Sequence, residues 1–482
     1  MAARRDACQP VRTPPYEAML TGTSFNHDQA AVVALIDRAP HAVLYRGSQG
    51  DVTVSAFLND VVRCAALLGD ADYVVNCCAN RYWFAVGFAA SLVRGKITLL
   101  TGDHSHNALR ALSGRFGAVQ IVSDGAWFTD KLETALPHTL IGAAMAPAPA
   151  FAGIPVIEAE QVAVVAFTSG STGEPVGTVK SFGELVARSR AAGVRFGFGE
   201  NDPATVIGTV PPHHMYGFET TLMLPWHAGI SSWCDPVFYP ADLHAALQEV
   251  AGRSVLVTTP LQLRGMLEMA HSDSVPATVI SATAPLDIEL ARQTEQLWNA
   301  EVLEIFGATE VGSIASRRTV TEADWTLYPG VEMTDRGGAV VSAPWAEARP
   351  LNDVVELLDD GTRFHLLGRC GDIVKLGGRR ASLAGLTHVL TSVPGVADGV
   401  FLAPDDLETR PTARLMALAV SPGLSGEQVM ELLRGQIDPV FMPRPLVCVP
   451  ALPRNALGKL PRQALLALVA EHTRRRGGGI AG

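Results

Sequence analysis

Residues 168–175 combine residue types that could bind phosphate groups. Their sequence, TSGSTGEP, directly follows the apolar run 164–167, VVAF, which is typical of a buried strand. Small residues let backbone N–H groups converge and the hydroxyl groups add further donors, so such a loop can bind a polyphosphate. The loop lacks the glycine–lysine spacing of a Walker nucleotide site. On composition alone, an ordinary flexible turn is the competing interpretation.

Six further segments hold residue types that could bind a nucleotide or a carboxylate. Each is weak by itself, because a pair of histidines, an exposed ion pair or a lysine in a turn is more often part of a solvated surface. A Thr–Glu pair is also common at the start of a helix. In chain order the segments are residues 211–217 (PPHHMYG), 281–286 (SATAPL), 304–310 (EIFGATE), 352–353 (ND), 368–380 (GRCGDIVKLGGRR) and 452–459 (LPRNALGK).

Together with the loop at 168–175, these segments resemble the signature motifs of the adenylate-forming superfamily, in the same order. The superfamily includes acyl-CoA synthetases, adenylation domains of nonribosomal peptide synthetases and beetle luciferases. The resemblance covers residues 40–465 approximately, nearly the whole chain. It implies an enzyme that uses ATP and Mg²⁺ to convert a carboxylic acid into its acyl-adenylate. Pyrophosphate is released, and the acyl group then passes to a thiol, either CoA or the phosphopantetheine of a carrier protein.

The resemblance also implies roles for individual residues. Adenylation brings two anions together, so cations and N–H donors must surround the reacting groups. The implied catalytic residues are Lys459, which bridges the carboxylate and the α-phosphate, His214 beside the path of the carboxylate, and Glu310. Glu310 and Thr168 are the implied Mg²⁺ ligands. The implied nucleotide-binding residues are Thr168, Ser169, Gly170, Ser171, Thr172, Gly173, Lys180, Ser281, Ala282, Thr283, Phe306, Gly307, Ala308, Thr309, Asp353, Arg369 and Lys375.

The phosphate loop departs from the usual pattern of the superfamily. Most relatives carry a lysine directly after the proline of this loop, whereas Pro175 is followed by VGTV and the lysine comes at Lys180. This arrangement, with residues 80–84 (NRYWF) and 94–95 (RG), is similar to a branch of short synthetases found with aryl-polyene pathways. That similarity implies a carrier protein as a possible acyl acceptor. Whether Lys180 replaces the missing lysine stays open.

The elements that must position these residues indicate an α/β fold. Short β-rich runs alternate with helical windows, which favours helices packed on mostly parallel sheets. The predicted strands include residues 73–76, 97–100, 119–122, 162–167, 205–210 and 254–258, and the predicted helices include 183–192 and 261–269.

A cluster of glycine and charged residues at 368–378 is typical of a hinge. We therefore predict a large N-terminal AMP-binding domain of packed mixed sheets with helices at residues 1–369. A small, mobile α/β domain at 370–482 would carry Lys459, with strands near 396–402 and 415–420 and a helix near 427–434.

Composition sets further limits on the function. The chain has 482 residues, of which 48% are apolar and 18% charged, and its net charge is -10, so neither general disorder nor a nucleic-acid-binding surface is expected. The longest apolar stretch, residues 84–93, is too short to span a membrane and predicts a core helix. Seven cysteines without paired CxxC spacing predict reduced thiols. With no apolar segment after the basic N-terminal residues, a cytoplasmic location is expected.

Three functional interpretations remain open at this point. The first is an acyl- or aryl-adenylate ligase, whose substrate would be an aromatic or fatty acid because the wall segments 213–218, 281–285 and 306–308 supply no carboxylate for an ammonium group. The second is a luciferase-type oxidoreductase, and the third is an inactive module that binds AMP or an acyl chain.

Overall fold

The computed structural model describes residues 31–125, 136–168, 176–200, 203–267, 274–335, 338–344, 346–369, 373–376, 379–404, 407, 413–454 and 460–477. Within these residues the helices are α1 (Val54–Leu67), α2 (Arg81–Val93), α3 (His106–Phe116), α4 (Phe182–Arg195), α5 (Met215–Phe218), α6 (Leu224–His227), α7 (Pro240–Glu249), α8 (Pro260–Leu267), α9 (Ile288–Trp298), α10 (Leu383–Thr391), α11 (Gly426–Leu433) and α12 (Arg462–Gly477). A π-helical turn, Glu219–Met223, joins α5 to α6, and a 3-10 turn spans Pro439–Phe441.

The strands lie between these helices. They are β1 (Val32–Ala34), β2 (Val43–Arg46), β3 (Val52–Thr53), β4 (Tyr73–Asn76), β5 (Ile97–Leu100), β6 (Val119–Ser123), β7 (His138–Leu140), β8 (Val156–Glu158), β9 (Val162–Thr168), β10 (Val176–Ser181), β11 (Ala204–Gly208), β12 (Ser231–Trp233), β13 (Arg253–Thr258), β14 (Thr278–Ser281), β15 (Glu301–Ala308), β16 (Gly312–Arg318), β17 (Trp325–Leu327), β18 (Glu332–Asp335), β19 (Ala339–Ala343), β20 (Ala346–Pro350), β21 (Asp353–Leu357), β22 (Arg363–Arg369), β23 (Ile373–Leu376), β24 (Arg379–Ser382), β25 (Asp398–Leu402), β26 (Met416–Val420) and β27 (Leu446–Cys448).

Two large sheets organise the N-terminal part. One has eleven strands in the order β21-β22-β17-β16-β15-β14-β13-β11-β12-β2-β3, and the other has six in the order β10-β9-β5-β4-β6-β7. The central pairs of both sheets are parallel, whereas β15–β16, β16–β17 and β9–β10 are antiparallel. The predicted α/β fold with mixed sheets is therefore confirmed.

The buried strands explain this architecture. The run Val162–Thr168 is almost continuously apolar, as expected for a strand covered on both faces, and its residues 163–166 are buried. Helix α2 is apolar on nearly all sides and lies inside the core, which confirms the prediction for residues 84–93. None of the helices in the described ranges is both long and apolar enough to cross a bilayer.

The C-terminal part has a core of its own. A three-stranded sheet, β25-β26-β27, and the short hairpin β23–β24 follow the large sheets. Two hydrophobic clusters in this part draw their members from residues 374–469, and the clusters that pack the large sheets end at Phe364. The predicted strands near 396–402 and 415–420 and the helix near 427–434 are present.

Candidate active site

The predicted phosphate loop lies between two paired strands. Strand β9 ends at Thr168 and β10 begins at Val176, and these two residues are directly opposite each other in the antiparallel ladder. Residues 169–175, which include Ser169, Gly170, Ser171, Thr172 and Gly173, and the side chain of Thr168 lie outside the described residues. The two strands therefore form an antiparallel pair, the phosphate hairpin, that flanks the predicted loop in the chain.

A second set of predicted residues meets at the carboxyl ends of neighbouring strands. The phenol of Tyr216, on α5, donates to the carbonyl of Ile280 at 2.8 Å and to that of Thr258 at 3.2 Å. These carbonyls lie at the ends of the parallel strands β14 and β13, respectively. Tyr216 therefore fixes the helix that follows His214 against the segment containing Ser281, where ligands of open α/β sheets commonly bind.

Thr283 in this segment has an unusual backbone. It is a β-branched residue at φ 77°, and its side chain is exposed, whereas Ser281 and Ala282 are buried. Such a conformation is costly for threonine and is concentrated at functional sites. Thr283 is thus an exposed residue just after the end of β14.

Three histidines lie close together near this edge. The ring of His213 lies 5.1 Å from that of His104 and 5.2 Å from that of His214, measured between ring centroids. Burial, together with the neighbouring imidazoles, lowers the pKa of His213 to about 3 and also lowers the pKa of His104. His214 is exposed at the start of α5. His213 is therefore neutral near pH 7. His214 is the exposed member of the cluster.

The segment 306–310 forms the end of β15 and the turn into β16. A Cβ atom at Gly307 would lie 2.3 Å from the carbonyl oxygen of Gly312, so only glycine fits there. The ring of Phe306 is buried against Trp325 and Phe364, at 5.4 and 5.5 Å between centroids. Phe306 thus supports the strand from the core, whereas Gly307 lies on the exposed side.

Lys180 contacts the same turn. Its side chain is fully buried, and its ammonium group pairs with Glu184 and donates to the backbone carbonyl of Glu310 at 2.9 Å. Arg349 donates to the same carbonyl at 2.8 Å. The ammonium group is thus engaged with the turn in this structure, and the nucleotide-binding role of Lys180 stays a prediction.

Three residues near this turn, Arg349 among them, were not predicted from the sequence. Arg188 donates to the carbonyl of Val311 at 3.0 Å, and the carboxyl group of Glu219 accepts from the backbone N–H of Ser313 at 3.0 Å. Burial raises the pKa of Glu219, although Ser313 and Arg188 oppose this shift. The charges at 184 and 188, spaced by four residues on α4, were a usable signal for Arg188, because such residues share one helical face.

The predicted ribose-binding pair is adjacent in the sheet. Asp353 begins β21 and lies directly opposite Arg369, the last residue of β22, in the antiparallel register. Asp353 is buried, and the side chain of Arg369 is outside the described residues. The backbone thus brings the two positions together, as their predicted shared role requires.

The remaining predicted residues are not described at the level of side chains. Lys459 lies outside the described residues, and for Lys375 only the backbone within β23 is described. Their roles, like those of the other site residues, stay predictions.

The whole architecture has clear counterparts among solved structures. The O-succinylbenzoate CoA synthetase MenE of Bacillus subtilis, in complex with AMP, matches with a TM-score of 0.75 and 17% identity over 90% of this chain and 98% of that one. ATP-bound MatB of Rhodopseudomonas palustris matches with a TM-score of 0.72 and 20% identity over 89% of this chain and 96% of that one. These likenesses define a shared fold.

Sequence comparison defines the family. A family model described as AMP-binding enzyme matches residues 33–341, and the chain belongs to this family. The resemblance to the adenylate-forming superfamily is thereby confirmed.

Individual relatives share less than a third of their aligned residues with this chain. A mitochondrial malonate–CoA ligase, ACSF3, of Xenopus laevis is 22% identical over 63% of this chain and 64% of its own length. The 4-coumarate–CoA ligase of Halorhodospira halophila is 28% identical over 61% of this chain and 73% of its own length. The match thus spans less than two thirds of the first of these relatives.

Proposed function

We propose that this chain is an ATP-dependent ligase that activates a carboxylic acid as an acyl-adenylate and transfers the acyl group to a thiol. Family membership supports the proposal, and so does one geometric observation. Tyr216 joins the helix after His214 to the strand ends beside Ser281 through its bonds to the carbonyls of Thr258 and Ile280. Two predicted substrate-facing segments therefore meet at one sheet edge.

The first step would form a phosphoanhydride bond to the acid. A carboxylate oxygen attacks the α-phosphorus of ATP, the bond from this phosphorus to the bridging oxygen breaks, and pyrophosphate leaves with the electron pair. Lys459 would offset the charge of the two approaching anions, and Asp353 with Arg369 would hold the ribose hydroxyls. These roles rest on the sequence motifs.

Mg²⁺ would bind with the nucleotide. Glu310 offers a hard carboxylate oxygen at a turn whose main chain is held in place, and Thr168 offers a hydroxyl group, so the donor types fit this ion. Among the described residues, no cluster of three or more His, Cys, Asp or Glu could hold a metal by itself. The phosphates of ATP would therefore complete the ligand set, and the ion would offset their negative charge.

In the second step a thiolate would attack the carbonyl carbon of the adenylate and AMP would leave. CoA and the phosphopantetheine of a carrier protein remain the two candidate acceptors. The displaced lysine at 180 and the segment 80–84 support the carrier-protein branch through their sequence similarity. A cofactor-loaded carrier protein and free CoA should therefore be compared directly.

The substrate proposed is an aryl or fatty acid. Glu219 is the carboxyl group near the wall segments, but it already accepts from Ser313 and burial raises its pKa. It is thus a poor counter-ion for the ammonium group of an amino acid. An uncharged acyl chain suits these surroundings better.

The deciding experiment is acid-dependent pyrophosphate release with ATP and Mg²⁺. A panel of benzoic, cinnamic, fatty and amino acids is tested with CoA, with a phosphopantetheinylated carrier protein and with neither. We expect release with an aryl or fatty acid and thioester formation with one acceptor. Release with no acid would favour an inactive binding module, and oxygen consumption or light emission would favour luciferase-type oxidation.

Lys459→Ala is the variant that tests the catalytic assignment. We expect it to lower pyrophosphate release by about 100-fold or more, because the cation acts where charge develops in the transition state. Arg434→Ala is the matched control, since Arg434 is an exposed cation of the same C-terminal part, paired with Glu431. Unchanged release by Lys459→Ala would refute the assignment.

A further inference from the structure

We propose that Lys180, Arg188 and Arg349 hold the turn at residues 310–313 in place and that Lys180 is a positioning residue for Glu310. We call these three cations, with the acidic residues Glu184 and Glu219, the turn cradle. The proposal rests on the proposed function, because it assigns Glu310 to the Mg²⁺–ATP site. It gives Lys180 a task that differs from direct contact with phosphate.

The polar groups of this turn are bound by charged side chains. The carbonyl of Glu310 accepts from Lys180 at 2.9 Å and from Arg349 at 2.8 Å. The next carbonyl, of Val311, accepts from Arg188 at 3.0 Å. Two successive carbonyls are thus held by three cations.

Glu219 holds the C-terminal end of the turn, at Ser313. The carboxyl group of Glu219 accepts from both the backbone N–H and the hydroxyl group of Ser313. Gly312 lies so close that a Cβ atom there would be 2.5 Å from Glu219 Oε1. The π-helical turn that carries Glu219 therefore fixes the start of β16.

The cradle also connects the turn to the phosphate hairpin. Lys180 belongs to β10, the strand that leaves the predicted phosphate loop. Arg349 donates to the carbonyl of Val179 in the same strand at 3.1 Å, as well as to Glu310. Two cations thus tie β10 to the turn that carries Thr309 and Glu310.

The burial of Lys180 separates this role from that of a phosphate ligand. Its side chain has no exposed surface, and its ammonium group is shared between Glu184 and the carbonyl of Glu310. Burial lowers the pKa of Lys180, although Glu184 opposes this shift. Because the ammonium group of Lys180 is buried, its role is to hold the main chain of Glu310 in place.

The first turns of α4 add two charged residues to the cradle. Glu184 and Arg188 are four residues apart on this helix and therefore share one face, and both are buried, as is Lys180 at the end of β10. The helix begins at Phe182 and is capped by Ser181, whose hydroxyl group accepts from the N–H of Glu184. One short segment therefore supplies a strand of the phosphate hairpin and two cations of the cradle.

Lys180→Met in the full chain tests the proposal, with Lys96→Met as a matched control. Lys96 is also buried and also donates to a backbone carbonyl, that of Ala71, at 2.7 Å. We expect Lys180→Met to lower the kcat of pyrophosphate release by about 100-fold, as a misplaced catalytic turn can. The KM for the acid should stay within a few-fold, and Lys96→Met should keep wild-type kinetics.

Three further readouts separate positioning from a general loss of structure. The half-saturating Mg²⁺ concentration should rise in Lys180→Met, and Lys180→Arg should recover much of the activity. Hydrogen exchange at the amides of residues 311–314 should become faster in Lys180→Met and in Arg349→Met. Because Lys180→Met removes the cation that pairs with Glu184, the double variant Lys180→Met/Glu184→Gln should show the same effects without a buried lone charge.

The role proposed for Lys180 and the proposed ligase function can each fail without the other. A raised KM for ATP with unchanged kcat and unchanged exchange at 311–314 would make Lys180 a phosphate ligand and overturn the proposal. Wild-type Mg²⁺ dependence in Lys180→Met would overturn it as well. If the wild-type chain released no pyrophosphate with any acid, the proposed function would fail, and the exchange rates would still decide whether the cradle holds the turn.

Discussion

At the scale of single residues, the turn after β15 leaves little room for any side chain. Gly307 lies against the carbonyl of Gly312, and Gly312 has φ 73° and lies against Glu219. A left-handed backbone and a close neighbour both exclude a Cβ atom at Gly312. The turn that carries Thr309 and Glu310 is thus sensitive to very small substitutions.

Gly312→Ala should destabilise the protein by about 2 kcal/mol, because alanine is strained in this backbone conformation and would displace Glu219. Urea unfolding measures the change. Gly265→Ala is the control, since Gly265 lies within α8 with no heavy atom near its missing Cβ, and there alanine should be neutral or stabilise by up to about 1 kcal/mol. Equal unfolding midpoints for Gly312→Ala and the wild type would contradict the steric argument.

His213 makes the stability of the fold depend on pH. The folded protein keeps His213 neutral down to a pKa of about 3, whereas the unfolded chain takes up a proton near the ordinary pKa of 6.5. Between these values the unfolded state binds more protons, so stability falls as the pH is lowered through this window. His104 contributes in the same direction.

We therefore expect His213→Asn to lose less stability than the wild type between about pH 7.5 and about pH 5. The urea midpoint at both pH values provides the measurement. Part of the decline in stability should remain in the variant, because the pKa of His104 is also lowered. An identical decline in both proteins would show that His213 does not bear the proton-linked penalty.

At the scale of elements, the start of α2 joins the two large sheets. Asn80 caps the helix by accepting from the N–H groups of Tyr82 and Trp83. Arg81 is buried and donates to the carbonyls of Gly208 and Val210, at 2.9 and 3.2 Å, where β11 ends. Residues 80–84 thus act as a structural connection, in addition to resembling one branch of the superfamily.

Arg81→Met should cost about 3 kcal/mol of folding free energy, because it leaves two buried carbonyls without these donors. Chemical unfolding monitored by circular dichroism measures the loss. Arg292→Met is the control, since Arg292 forms an exposed ion pair with Glu289 within one helix and should change stability by less than about 0.5 kcal/mol. A similar small effect for Arg81→Met would remove it from the connection between the sheets.

The sequence indicated most of the elements that carry the motifs. Strands β4, β5, β6, β9 and β13 and helices α2 and α4 lie where their apolar patterns predict them. The pattern at 205–210 placed the end of β11 two residues late, because the strand ends at Gly208 where Arg81 binds its carbonyl. Burial patterns thus reveal the elements, whereas their ends depend on tertiary contacts.

At the scale of the whole molecule, the separate C-terminal cores support a boundary near residue 369. The clusters built from residues 374–469 pack β25, β26 and α11, and the large sheets have their own clusters. The domain division at 369 and the mobility of residues 370–482 remain predictions. They follow from the glycine-rich segment at 368–378.

A fragment of residues 1–369 should fold by itself and bind nucleotide, but it should release no pyrophosphate with any acid, because it lacks Lys459. Circular dichroism, a cooperative unfolding transition and calorimetric ATP binding test the first part. The full-length Lys459→Ala variant is the control for the loss of catalysis. An unfolded fragment would show that the boundary lies elsewhere.

The α/β class, the order of the motifs and the family follow from the sequence alone, because apolar periodicity and residue types are local properties of the chain. The sequence also identified Glu310, Asp353 and His214 as candidates. Only the tertiary structure decided that Lys180 points into the protein and that Arg188, Arg349 and Glu219 surround the turn at Glu310. These residues come from β10, α4, the π-helical turn and β20, of which only β10 and α4 are consecutive in the chain. Burial and hydrogen bonding between such elements exist only after the sheets have packed.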